Sequence, residues 1–190
     1  MDDVFEEEKT FDTINFTLQA LPKGEYENCT FLNCDFSNTD LSGTKFTECQ
    51  FNRCNLSTVN LHKTALRDIA FKDCKLLGLR FDICNEMLFS ISFDHCIVNF
   101  SSFFKRKLKN SVFKNSSFHE VDFSDTDLSG TSFDECDLLG AVFENAILEK
   151  TDFRSAYNYA IDPEKNRIKK ALFSMPGVKG LLDKYDIEIE

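Results

Sequence analysis

The chain has 190 residues, 42% of them hydrophobic, enough for a domain with a buried core. Its net charge of −10, from 32 acidic against 22 basic side chains, disfavours direct binding to nucleic acid or to an anionic membrane. The segment Met1 to Glu8 lacks the basic and apolar regions of a signal peptide, and no apolar run reaches membrane-spanning length, so a cytoplasmic protein is expected.

Composition already points to one residue type used systematically, with 21 Phe, no Trp and only 7 Gly. An acidic N-terminal segment, 1–10, precedes a repeat in which a large apolar residue returns every fifth position. These centres run Phe11, Phe16, Leu21, Tyr26, Phe31, Phe36, Leu41, Phe46, Phe51 and onward to Phe81. A period of five suits neither a helix, at 3.6, nor a plain strand, at 2. Every fourth centre is phenylalanine (Phe11, Phe31, Phe51, Phe71, then Phe93, Phe113, Phe133 and Phe153), so four five-residue units make one coil of twenty residues with four distinct sides.

Two places before the centres lie small side chains: Cys34, Cys54, Cys74, Cys96 and Ser116 in one column, Cys29, Cys49, Ser111, Thr131 and Thr151 in another. Residues two apart in extended chain share a side, so the small residue and the centre both point inward, and only one of them can be large. The register slips by two residues over 82–87, and the centres are expected to resume at Leu88 and continue through Phe93 to Phe153. The expected fold is all-β: a four-sided parallel β-helix of about seven coils over 11–157, near 34 Å long, with a short helical cap in 158–190. Asp162-Pro163-Glu164 reads as a helix start, and Val178, Leu181, Leu182 and Tyr185 at i, i+3, i+4, i+7 read as an amphipathic helix covering the rod's open end.

The surface carries two unusual segments. Between Glu120 and Asp152 lie ten acidic residues against one base, Lys150, and Asp122, Asp125, Asp127, Asp134, Glu135 and Asp137 are candidates for a DNA-like docking surface. The alternative is a solvated exterior that keeps the rod soluble. In "SSFFKRKLK", Arg106 falls where the same column has Thr44, Thr64 and Thr126, and an unpaired guanidinium does not belong in that interior, so Arg106 is expected to swing outward with Lys105 and Lys107. Phe89 and Phe104, each one past a centre, should face solvent beside them, either as a partner patch or as local padding.

No chemistry accompanies this surface. The 8 cysteines follow the repeat, with no CxxC pair, so they are read as reduced filler and not as a metal site. His62, His95 and His119 share no side with a nucleophile or convergent carboxylates, and no phosphate-binding glycine loop is present. No enzyme, cofactor or metal is expected.

The pattern of a central Phe or Leu preceded two places earlier by Cys, Ser, Thr or Ala resembles the pentapeptide-repeat family, and within it the Qnr-type quinolone-resistance proteins. That resemblance implies a right-handed quadrilateral β-helix, a homodimer joined through the C-terminal end (here Val178, Leu181, Leu182 and Tyr185), and a type II DNA topoisomerase as partner, either gyrase or topoisomerase IV. The chain departs from plasmid-borne Qnr proteins in lacking sizeable loops, since only "CNEML" and "FFKRKLK" break its regularity.

Overall fold

The computed structural model describes residues 3–188. Two parallel sheets run along the rod. Side one holds β1 (Val4–Glu7), β3 (Gly24–Glu27), β5 (Lys45–Thr47) and β7 (Ala65–Arg67), in that order. Side two holds seven strands: β2 (Thr10–Asp12), β4 (Thr30–Leu32), β6 (Gln50–Asn52), β8 (Ile69–Lys72), β9 (Ile91–Asp94), β10 (Val112–Lys114) and β11 (Ser132–Asp134). Sides three and four are built from single bridges, such as Asp35↔Asn55↔Lys75 and Ser102↔Asp122↔Val142. The result is a nearly all-β solenoid of about seven coils with a filled interior.

The all-phenylalanine column lies on side two in strict register, Phe11↔Phe31↔Phe51↔Phe71 and Phe93↔Phe113↔Phe133. Its rings stack, with centroids 4.8 Å apart at Phe11–Phe31 and 4.7 Å at Phe31–Phe51. The small residues do more than leave room. Cys54 Sγ donates to Phe31 O at 3.3 Å, Thr126 Oγ1 to Phe103 O at 2.8 Å and Thr151 Oγ1 to Leu128 O at 2.8 Å, so each tethers its coil to the one before.

Corners explain the scarcity of glycine. The residue two past the centre adopts positive φ, as in Asn28 (50°), Asn33 (54°) and Asp125 (56°), a conformation that Asn and Asp tolerate better than most residues. An Asp or Asn just before the centre then accepts the amide two residues on, as Asp35 does from Ser37 at 2.9 Å and Asp40 from Ser42 at 2.9 Å. These side-chain turns help fix the bend, so most corners do without glycine.

The slip differs from expectation in three respects. Leu88 is not an interior centre: it sits at a corner with φ 57° and is 73% exposed. Asn85 Oδ1 accepts the Met87 amide at 2.8 Å and the Phe89 amide reaches Glu86 O, which closes a corner ahead of two surplus residues. Phe89 does not point to solvent but packs half-buried against the core, its ring 6.4 Å from Phe81. Arg106 does not swing out: it is 4% exposed. The turn Phe81–Ile83 and the following Cys84 aim three carbonyls at one interior point, and Arg106 meets all three, Nε on Phe81 O at 2.8 Å and Nη2 on Asp82 O at 2.8 Å and on Cys84 O. Its guanidinium lies 5.1 Å from the Phe89 ring centroid. Only a fork of several donors satisfies such a cluster, where the threonines of other coils serve one carbonyl each. The Cys84 thiol in the same pocket is pushed up to about 12 by burial, against the opposing pull of Arg106.

The helix expected from Asp162 is a further corner, with Asp162 Oδ1 accepting the Glu164 amide at 2.9 Å. Bridges continue at Ile147↔Arg167 and Asp152↔Leu172, and Phe173 stacks on Phe153 at 5.4 Å. The amphipathic α-helix expected over Val178–Tyr185 is instead a pair of 3-10 turns, Pro176–Leu181 and Asp183–Tyr185. Close approach explains the tighter winding. A Cβ on Gly180 would lie 2.2 Å from Tyr159 O, and the Ile161 amide donates to Gly180 O at 2.9 Å, which pins the segment flat on the last coil.

Two stability outcomes follow from this packing. Phe113→Ala, which empties a fully buried position, should cost about 3–5 kcal/mol in chemical denaturation. Arg106→Ala should cost about 3 kcal/mol by orphaning three carbonyls, while the neighbouring exposed Lys107→Ala should stay within about 0.5 kcal/mol.

Candidate functional site

The six candidate acids lie along three-quarters of one coil and reach every side of the rod. Asp122 is on side four, Asp125 on the corner between sides four and one, Asp127 on side one, Asp134 on side two, Glu135 on the next corner and Asp137 on side three. They form a band, and they divide into two kinds. Asp122, Asp127 and Asp137 are half-buried corner residues that accept the amides of Ser124 at 2.9 Å, Ser129 at 3.1 Å and Leu139 at 3.2 Å. Asp125, Asp134 and Glu135 are exposed. Of these, Asp134 accepts Ser155 Oγ at 2.9 Å, a contact that leaves its charge in place.

Electrostatics separates the two kinds further. Partial burial pushes the Asp137 carboxyl up, but hydrogen bonds from His119 at 2.7 Å and Asn158 at 2.8 Å outweigh it and hold the group below its ordinary value. Asp127 behaves alike: desolvation is outweighed by Ser129 and by Lys109, whose ammonium sits 3.1 Å away. Both carboxylates stay ionised at neutral pH, and that of Asp127 is partly neutralised by Lys109.

The second candidate surface surrounds the slip. Phe104 is 37% exposed, with the Lys105 ammonium 4.7 Å from its ring centroid, at the corner between sides four and one. Lys107 lies on side one, bridged to Asp127 of the next coil. Arg106 and most of Phe89 belong to the interior, so the surface that remains consists of Phe104, Lys105 and Lys107 together with Met87 and Leu88, both exposed. Leu88 was hidden from sequence reasoning because the five-residue period assigns it to the core.

At the C-terminal end Leu181 packs on the core and Leu182 is half-buried, whereas Val178 and Tyr185 retain exposure. Lys184 fastens this segment, 2.7 Å from Asp162 and 2.8 Å from Glu164. Beside it runs an open groove of about 730 Å³ lined by Arg154, Tyr157, Tyr159, Lys179 and Ile187. All eight cysteines are buried and free. Among the described residues no cluster of three or more His, Cys, Asp or Glu could hold a metal, and no helix is long and apolar enough to cross a membrane.

Comparison with known proteins follows the repeat. Residues 24–86 match "Pentapeptide repeat region", and 102–134 and 122–157 match "Pentapeptide repeats (8 copies)". No curated protein matches the sequence. Among solved structures, full-length QnrB1, a plasmid-mediated fluoroquinolone resistance protein, is similar with a TM-score of 0.59 at 19% identity, covering 97% of this chain and 100% of its own. HetL, a pentapeptide repeat protein involved in heterocyst differentiation regulation from the cyanobacterium Nostoc, aligns at 14% identity with a TM-score of 0.34, over 89% of this chain and 86% of its own. By its repeat and its two matched regions, the chain belongs to the pentapeptide-repeat family.

Proposed function

We propose that this chain is a non-enzymatic cytoplasmic rod that binds a type II DNA topoisomerase, gyrase or topoisomerase IV, as a DNA-like surface and so modulates fluoroquinolone sensitivity. The observation that carries this reading is the acidic band from Asp122 to Asp137, which presents negative charge on all four sides of a narrow rod. A channel built for duplex DNA approaches its ligand from more than one direction, and a band suits that better than a one-sided patch. End-to-end likeness in fold to a fluoroquinolone resistance protein supports the same reading. A homodimer formed through Val178, Leu181, Leu182 and Tyr185 would double the length of the rod, and the remaining exposure of Val178 and Tyr185 supports it.

The second reading is an interaction scaffold with an unrelated protein partner, favoured by Met87, Leu88 and Phe104 exposed beside Lys105 and Lys107. One assay separates the two. Purified protein is titrated into gyrase supercoiling of relaxed plasmid, with and without a fluoroquinolone, and the assay is repeated with topoisomerase IV decatenation. Asp125→Lys, Asp134→Lys and Glu135→Lys together should weaken the effect about tenfold or more while the thermal midpoint stays near that of the parent, because no turn amide depends on these three carboxylates and lysine already occupies equivalent corners at Lys63 and Lys105. No effect of the parent on either enzyme at micromolar concentration would remove the topoisomerase reading. An effect that survives the triple reversal but is lost in Phe104→Ala would move the contact to the slip.

A further inference from the structure

Side one sorts its charges by height along the rod. In the N-terminal coils it and the corner that follows carry Glu7, Glu8, Glu25, Glu27 and Glu48 against one base, Lys45. From Lys107 onward they carry Lys107, Lys109, Lys150, Arg167, Lys169 and Lys170 against two acids, Asp127 and Glu149. On side two bases and acids alternate instead, Lys72↔Asp94↔Lys114↔Asp134. The endmost charges of side one are also unpaired: among the described residues Glu7, Glu8, Lys169 and Lys170 are exposed and enter no ion pair, whereas Lys45 pairs with Glu25, Lys109 with Asp127 and Arg167 with Glu149.

Midway between the two halves stands an apolar knob. The amides of Asn85 and Ser90 fasten the ends of this segment to the coil of β7, on Thr64 O at 2.9 Å and Leu66 O at 3.0 Å, so Met87 and Leu88 rise from side one itself, 64% and 73% exposed. Along the ladder Glu7, Glu27, Thr47 and Arg67 lie on one side of the knob and Lys109, Ser129, Glu149 and Lys169 on the other, four coils each way. At ~4.8 Å per coil, Glu7 and Lys169 are each about 19 Å from it. The knob is the midpoint of a face whose two halves carry opposite charge.

We infer that side one is a self-docking surface, on which a second copy lies antiparallel about a two-fold axis through Met87 and Leu88. Such an axis sets each column against itself in reverse. Glu7 then faces Lys169 and Glu8 faces Lys170 at both ends of the pair, Lys45 faces Asp127, and Met87 and Leu88 meet their own counterparts. Two facings are like-charged, Glu27 on Glu149 and Arg67 on Lys109, and each has an opposite charge beside it, since Arg167 lies 2.7 Å from Glu149 and Lys109 lies 3.1 Å from Asp127. A parallel partner would set glutamate on glutamate and lysine on lysine at the two ends, so charge fixes the direction. A side about 38 Å long and about 10 Å wide covers roughly 800 Å² over both copies, the size of a weak contact steered by charge. It uses neither the exposed acids Asp134 and Glu135 nor Val178 and Tyr185, so it is independent of topoisomerase binding and of end-to-end pairing.

Two measurements on the full chain test it. In sedimentation equilibrium at low ionic strength wild type should self-associate, and Glu7→Lys/Glu8→Lys and Lys169→Glu/Lys170→Glu should each weaken association about tenfold or more. An equimolar mixture of these two variants should associate again, because it restores opposite charges at both ends of the pair. Contact at the axis is read from Leu88→Cys, which adds an exposed thiol to a chain whose own cysteines are all buried, treated with a short bismaleimide. Covalent dimer should form at low salt and fall about tenfold when Lys169→Glu/Lys170→Glu is added. Rods joined end to end through their C-termini hold their Leu88 positions about 40 Å apart, so a Leu88→Cys chain that associates without crosslinking would overturn the inference. A wild type monomeric up to about 1 mM would overturn it too, as would charge variants that associate like wild type or a mixture that fails to recover.

Discussion

The fold depends on a coincidence of two spacings. Parallel strands sit 4.7–4.9 Å apart, and aromatic rings stack well from about 4.5 Å upward, so a column of phenylalanines repeated once per coil packs ring on ring at the distance the backbone already demands. The Phe11–Phe31–Phe51 stack sits at that distance, and the column reaches Phe173. No helix or antiparallel sheet offers the same match along a single column. Four sides facing a narrow interior then favour one large residue per unit, and the position two before it is mostly small, with Ile69, Leu79 and Ile91 as buried exceptions.

That constraint also decides how the rod absorbs a defect. Side two runs through the slip unbroken, with Phe71 and Phe93 still stacked at 5.5 Å, so the two surplus residues are carried by side one alone. Ring tilt then rises to 42° at Phe93–Phe113 and 61° at Phe113–Phe133 before falling to 8° at Phe133–Phe153. The disturbance is spread over two coils. Arg106 completes the repair from inside, supplying donors to carbonyls that turn inward where side one leaves its sheet. A buried cation without a carboxylate partner is tolerable here because the carbonyl dipoles and the Phe89 ring take that role.

Periodic features were legible in the sequence because each is enforced many times over: the twenty-residue coil, the all-phenylalanine side, the small inward column and the side on which every charged centre-neighbour lies. Failures cluster where a single local contact outweighs the period. Leu88 obeys the count but loses to the corner that Asn85 closes early. Arg106 breaks the column's size rule, and the rule that buried charges need partners argued for ejecting it; the partners are backbone carbonyls, which carry no sequence signal. At the C-terminus, helical spacing from Val178 to Tyr185 was real, but the contacts of Gly177 and Gly180 with Tyr159 hold the segment too close to the coil for an α-helix. The candidate acids were legible as charges and illegible as two kinds, since nothing in the one-letter pattern marks Asp122 as a corner acceptor and Asp125 as a corner itself.

This last distinction bears on how a rod of this kind acquires a partner. An Asp immediately before a centre is retained by the fold whatever the protein binds, because its carboxylate fixes the bend, so acid density alone overstates the surface available for recognition. Asn would serve the corner equally well, as Asn55 and Asn60 do. The choice of Asp over Asn at 122, 127 and 137, and the presence at 125, 134 and 135 of acids whose carboxylates accept no turn amide, therefore carry more information than the total charge. By the same reasoning the slip surface is informative because neither Met87 nor Leu88 is needed by the solenoid: both could be polar without disturbing a coil. What the fold does not require is where binding chemistry has room to act, and two such groups lie in adjacent coils, around Leu88 to Lys107 and around Asp125 to Glu135.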